Sequence, residues 1–265
     1  MNYTKIYDYF SFGYNYNILL KGNSGKTNSE CLEDMKIYNN FIRQHNLTVT
    51  ISSIQLLKLI PDMEKLMKLA KAKKTKDEIV DPKFWNSILE KLIKVDSTFD
   101  AELNTKIAFT LDEKRHSNEM LLDKIYQLFA ENTFEVLPPI AKFDFEESGK
   151  CLAFDRYTAS AFHSLRGTED VVKMYYERLF SITATDKDTW GTYENKIKKE
   201  LEDGNLKPHP DEQLIISMAS LRKHYRNQTQ HPQMIYSSDQ SQDILSNCIK
   251  VVNDIVVDLK NRGLI

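Results

Sequence analysis

The chain has 265 residues, with 36 Lys and Arg against 38 Asp and Glu, six His and a net charge of −2. With 41% apolar and 28% charged residues and only 8 Gly and 7 Pro, it is not collagen-like, disordered or a disulfide scaffold, and too poor in turn formers for a β-sandwich or barrel. Binding nucleic acid through bulk positive charge is excluded too, which leaves room only for a local basic patch.

The start, MNYTKIYDYF, lacks the basic residues and apolar run of a signal peptide. No 18 apolar residues run together, so no membrane span is expected. Cys31, Cys151 and Cys248 have no metal-ligand spacing and apolar neighbours, as buried reduced thiols do. A cytoplasmic location fits these features.

From Phe10 to Ile18, the positions Phe10, Phe12, Tyr14, Tyr16 and Ile18 alternate with Ser11, Gly13, Asn15 and Asn17. This period of two predicts a strand or an extended arm. Its aromatics are expected to pack on the body of the protein or a second subunit, with base stacking the less favoured alternative. Residues 22–28 read as a loop. Residues 29–45 carry Leu32, Met35, Tyr38, Phe41 and Ile42 at helical spacing, and residues 50–74 do likewise, with Pro61 breaking or kinking the run. Lys65–Lys76 holds six lysines and no acid, which reads as a solvated helix end, with an RNA-backbone contact as the alternative. Asp81-Pro82 marks the start of a helix bearing Phe84, Trp85, Ile88, Leu89 and Leu92. Helices near 97–108 and 112–131 follow. Residues 132–148, with Pro138-Pro139 and an extended look around Phe143, give the clearest boundary.

Beyond it, amphipathic helices are predicted over 149–180, 188–203, 211–225 and 239–261, joined by short connections, and Gly263 ends the last. The expected fold is all-α: a helical N-terminal domain over 1–135, with a short extended N-terminal segment, then an up-and-down four-helix bundle over 143–265.

The segment Gly22-Asn-Ser-Gly-Lys-Thr27 is not a phosphate loop. The first Gly of such a loop stands five positions before the Gly of the GK pair, where this chain has Leu20, and no strand–helix alternation follows to build a parallel sheet.

Arg226-Asn-Gln-Thr-Gln-His231, followed by Pro232, is a stronger signal. In an unbroken helix Arg226 and His231 would point about 140° apart. Pro232 disfavours a helical conformation at His231, so the chain is expected to leave the helix there and bring the two side chains together. Arginine grips phosphate bidentately and stabilises charge that grows in a transition state, and histidine moves protons near neutral pH. In RNA the 2′-hydroxyl is a built-in nucleophile, so this pair suits phosphodiester chemistry without a metal. Spacing alone also allows a merely exposed loop histidine.

Glu169 lies within the apolar stripe Phe162, Leu165, Val172 and Tyr176, and a carboxylate in such a stripe needs a partner. It is expected to orient Arg226, with Arg222, another structural base or a dimer seam as alternatives. Arg222-Lys-His-Tyr-Arg226 makes a local basic cluster where an RNA backbone would dock. His163 and Arg166 lie off the stripe and face solvent, a partner or substrate. Tyr225 reads as core and His224 as exposed.

RNQTQHP resembles the R-N-x-x-x-H motif of the HEPN superfamily, at the place between the last two helices where HEPN bundles carry it. The run from Glu146-Glu-Ser-Gly-Lys to Leu165-Arg-Gly-Thr-Glu169 and the pair Trp190-Gly191 are similar to segments of a bacterial HEPN-like group, in the same order. The resemblance covers about 143–265. It implies a metal-independent, cofactor-free endoribonuclease, often a toxin or defence effector restrained by an antitoxin or regulatory partner. It also implies a homodimer whose facing motifs form one composite site, with Arg226 and His231 catalytic and Asn227 at the polar second position. Other members of the superfamily are inactive scaffolds or binding modules.

Overall fold

The computed structural model describes residues 5–21 and 25–265. The chain is all-α: among the described residues the β pairing present is one isolated bridge between Thr27 and Ile79. No described helix is long and apolar enough to cross a membrane. The fold divides into one unit ending at Phe109 and another running from Thr110 to Ile265, each with its own hydrophobic core.

The N-terminal unit contains α1 (Ile6–Leu20), α2 (Asn28–Gln44), α3 (Thr48–Leu56), α4 (Leu59–Lys71) and α5 (Pro82–Leu103). The strand or arm expected over 10–18 is the helix α1 instead. Phe12 and Leu19 are buried at helical spacing, while Tyr7, Phe10 and Tyr14 are exposed on another face. Two aromatic-bearing faces of one helix thus imitate a period of two. Phe12 stacks on Phe41 at 3.6 Å between ring centres, and the Tyr16 hydroxyl donates to Asp96 at 2.5 Å. The run 50–74 breaks at Lys58, in the left-handed conformation (φ 54°), not at Pro61. Pro61 falls in the first turn of α4, where a helix needs no N–H donor. Asp81 caps α5 by accepting from the Lys83 N–H, with Pro82 the first helical residue. α5 absorbs the start of the separate helix expected near 97–108.

In the loop read over 22–28, residues 22–24 lie outside the described residues. Lys26 pairs with Asp34 at 2.5 Å, and Thr27 caps α2 in a reciprocal bond with Glu30. Both therefore hold the start of a helix.

The expected domain limits, 135 and 143, fall inside the C-terminal unit. Leu121, Ile125, Phe129 and Leu137 pack into its core. The single helix expected over 112–131 is the short α6 (Asn118–Asp123) followed by a 3₁₀ turn, Ile125–Leu128. The stretch read as extended around Phe143 belongs to α7 (Pro139–Ala153). Pro139 supplies its first residue, so the Pro138-Pro139 pair starts a helix rather than a linker. The long helix expected over 149–180 is therefore two, α7 and α8 (Tyr157–Phe180). They are separated at Asp155, whose φ is 59°.

α7 and α8 fold back on each other. Ser148 bonds Ser160 and Ser164, Asp144 bonds His163 and Arg166, and Ala141 lies beside Gly167. A Cβ at Gly167 would stand 3.1 Å from the Asp144 Cβ, so glycine permits this close approach. α9 (Trp190–Glu202), α10 (Glu212–Leu221) and α11 (Ser238–Asn261) complete the unit, with α8 packed against α7, α9 and α11. Cys31 and Cys248 are buried, and burial pushes the Cys248 thiol up to about 12. Cys151, near the end of α7, is only half-buried.

Candidate functional site

α10 does not end cleanly. Arg222–Arg226 form a π turn, in which the Asn227 N–H bonds the Arg222 carbonyl five residues back, and Asn227–Thr229 continue the helix. Such a turn absorbs one extra residue. Here it carries both arginines towards α8 and α9. Arg226 Nε donates to Glu169 Oε2 at 2.8 Å, and Arg222 Nε donates to Glu194 Oε2 at 2.6 Å. The pairing expected between Glu169 and Arg226 is thus the contact present, and the alternative partner, Arg222, is held by Glu194.

The two pairs differ. The Glu194 side chain is 2% exposed and also takes Lys198 at 2.7 Å. Burial pushes its pKa up, but the bonds from Arg222 and Lys198 outweigh this and hold it below the usual carboxylate range. The Glu169 and Arg226 side chains are 23% and 26% exposed, with no second base on the carboxylate among the described residues.

Glu169, Thr189, Trp190, Gly191, Arg222, Arg226 and Asn227 line a cleft of about 240 Å³. Both arginines spend Nε on their glutamates, and among the described residues neither has a partner on its terminal Nη atoms. At Gly191 the wall lacks a side chain: a Cβ there would stand 3.5 Å from Arg222 Nη1. The start of α9, capped by Thr189, adds its partial positive charge to the same wall. Trp190 is buried, and among the described residues its Nε1 has no hydrogen-bond partner. Two positioned guanidinium forks with free Nη donors suit an oxyanion.

His231 is not brought into this cleft. The helix ends at Thr229 with Gln230 as its C-cap, before Pro232, and His231 is exposed. Its backbone is nonetheless fixed. The His231 N–H bonds the Gln228 carbonyl and the Met234 N–H bonds the His231 carbonyl. Thr229 meets the Tyr236 hydroxyl at 2.8 Å, and the Tyr236 N–H bonds Thr158 on α8. The chain leaves the helix as predicted, but no hydrogen bond joins Arg226 to His231 among the described residues. Asn227 lines the cleft beside Arg226. Lys223 and His224 are exposed, and Tyr225 is half-buried against the core.

A smaller depression, about 50 Å³, is lined by Phe162, Leu165, Arg166, Arg226, Thr229 and Gln230. Arg166 Nε donates to Asp144 Oδ2 at 2.6 Å, a second bond joins Arg166 to Asp144 Oδ1, and His163 Nδ1 meets Oδ1 at 2.8 Å. Asp144 has no exposed surface.

Sequence reasoning missed Asp144 and Glu194. Asp144 fell in a stretch read as extended. Glu194 carried the same signal as Glu169, since it sits in the stripe Trp190, Glu194, Ile197 and Leu201. Among the described residues no three His, Cys, Asp or Glu side chains are grouped as a metal site. No protein-family model, curated protein or solved structure matches the chain.

Proposed function

We propose that the C-terminal unit is an RNA-cleaving domain of HEPN type. The observation that carries this reading is the Glu169–Arg226 bond at the wall of a cleft that also receives Arg222. A carboxylate that spans one edge of a guanidinium leaves the other edge to grip a non-bridging phosphate oxygen. Arg226 binds and polarises the scissile phosphate, Arg222 and Asn227 hold the same or the adjoining phosphate, and exposed Lys223 adds charge along the strand. The RNA 2′-oxygen attacks phosphorus, the bond to the 5′-oxygen breaks, and His231 moves a proton at the reacting oxygens. The products are a 2′,3′-cyclic phosphate and a 5′-hydroxyl, formed without metal or cofactor. The role is that of a toxin or defence effector, cytoplasmic and restrained by an antitoxin or regulatory partner. A homodimer with facing motifs would bring a second His231 to the composite site.

One observation favours a second reading, a non-catalytic dimerisation or partner-binding module: His231 is exposed and makes no side-chain bond among the described residues. Incubating labelled mixed-sequence RNA in EDTA with the parent protein and with His231→Ala separates the two. The ribonuclease reading expects cleavage by the parent alone. Binding without cleavage by both proteins would establish the module instead.

A further inference from the structure

Arg226 lines both the arginine cleft and the small depression. The two hollows therefore meet at the guanidinium that Glu169 aims. Along α8, Phe162, Arg166 and Glu169 stand at i, i+4 and i+7, so they share one face of the helix. Phe162 and Arg166 line the depression, and Glu169 lines the cleft. The rise from Phe162 to Glu169 is about 10 Å, short enough for a phosphate at one end and the base of an adjoining nucleotide at the other.

Phe162 is unlike the rest of its stripe. Leu165, Val172 and Tyr176 are buried, whereas Phe162 is 37% exposed. The Arg166 guanidinium lies over its ring, 5.7 Å from the centre, within cation–π range. Arg166 is in turn anchored by two bonds to Asp144, which has no exposed surface. Ring and cation thus form a platform that is already ordered before a ligand arrives, which lowers the cost of binding. Gln230 lines the same depression and is exposed, and among the described residues its carboxamide has no hydrogen-bond partner. That group both donates and accepts, as the edge of a base requires. At about 50 Å³ the depression is too shallow to enclose a base, but stacking needs only one covered face.

We propose that this depression is the base subsite of the RNA-cleaving centre, where Phe162 stacks on an unpaired base next to the phosphate that Arg226 grips; this rests on the ribonuclease reading above. A base within a duplex is paired and stacked and does not reach such a platform. The substrate class is therefore single-stranded or loop RNA. The stack sets which phosphate of the strand lies at Arg226.

The test uses the RNA strand that the parent cuts in EDTA, remade with 2′-O-methyl sugars so that it binds without being cut, and copies with one abasic position each. Affinities are read by fluorescence anisotropy for the parent, Phe162→Leu and Phe162→Tyr, once thermal unfolding has shown the three proteins equally stable. The proposal expects the parent to lose about tenfold in affinity when one position beside the cut site is abasic. Phe162→Leu should bind the intact strand about tenfold more weakly and be indifferent to that abasic position, while Phe162→Tyr keeps the parent's profile. An abasic loss that the parent and Phe162→Leu share equally overturns the base subsite and leaves the ribonuclease reading standing. A Phe162→Leu protein that binds and cuts like the parent does the same. So does a change of oligomeric state in Phe162→Leu with the abasic profile unchanged, which assigns the depression to a protein partner. A parent that neither cuts nor binds a mixed-sequence RNA overturns the ribonuclease reading, and the subsite with it.

Discussion

Arg222 and Arg226 stand one turn apart and make the same bond, Nε to a glutamate, yet the two glutamates belong to different kinds of structure. Glu194 is enclosed, carries two bases and ties α9 to the end of α10. Glu169 is partly open, holds one base, and sits at the lip of the cleft. A buried carboxylate whose partners are all fixed acts as a brace. A half-open one with a single partner acts as a hand that aims the arginine. The lesson is that burial and partner count, not the ion pair itself, separate scaffold from site.

Replacing the aimed arginine is the strongest way to break this comparison. Arg226→Ala should reduce RNA cleavage in EDTA by about 10²–10³-fold with the fold intact by circular dichroism. Breaking the brace should act on stability instead. Glu194→Gln leaves two bases facing a neutral buried amide, and urea denaturation should show a loss of about 3 kcal/mol. Glu169→Gln sharpens the contrast: cleavage should fall about tenfold or more, while stability changes by less than about 1 kcal/mol.

The brace also predicts a pH signature. The pKa of Glu194 is lowered by folding, so its stabilisation is present above the ordinary carboxylate range and is lost as pH falls through the lowered folded value. Acid denaturation of the parent should steepen below about pH 4, and Glu194→Gln should flatten that limb. The smallest effect belongs to the loop that imitates a nucleotide site. Lys26→Ala removes one partly exposed pair with Asp34 and should cost no more than about 1 kcal/mol, with RNA cleavage unchanged.

Helix content and the last three helices were legible because their apolar stripes are long, and the start of α5 was legible because Asp81-Pro82 marks it. The strand read over Phe10–Ile18 failed because aromatics on two faces of a helix alternate by coincidence. The domain limit failed because Pro138-Pro139 is a start signal as well as a linker signal, and only packing against Leu121 and Ile125 separates the two. Within the site, a carboxylate in an apolar stripe found Glu169 and its partner. Asp144 was out of reach because its partners, His163 and Arg166, lie on the next helix, and nothing local marks a contact made by folding back. The place of His231, past the helix end but outside the cleft, depends on the Thr229–Tyr236 and Tyr236–Thr158 bonds, which spacing does not encode.

The most direct test of the central claim is end-group analysis of RNA incubated with the full chain in EDTA, beside Arg226→Ala. The account predicts 2′,3′-cyclic phosphate or 3′-phosphate ends facing 5′-hydroxyls from the parent, and their loss in Arg226→Ala. Products bearing 5′-phosphates, or equal cleavage by the two proteins, would contradict it.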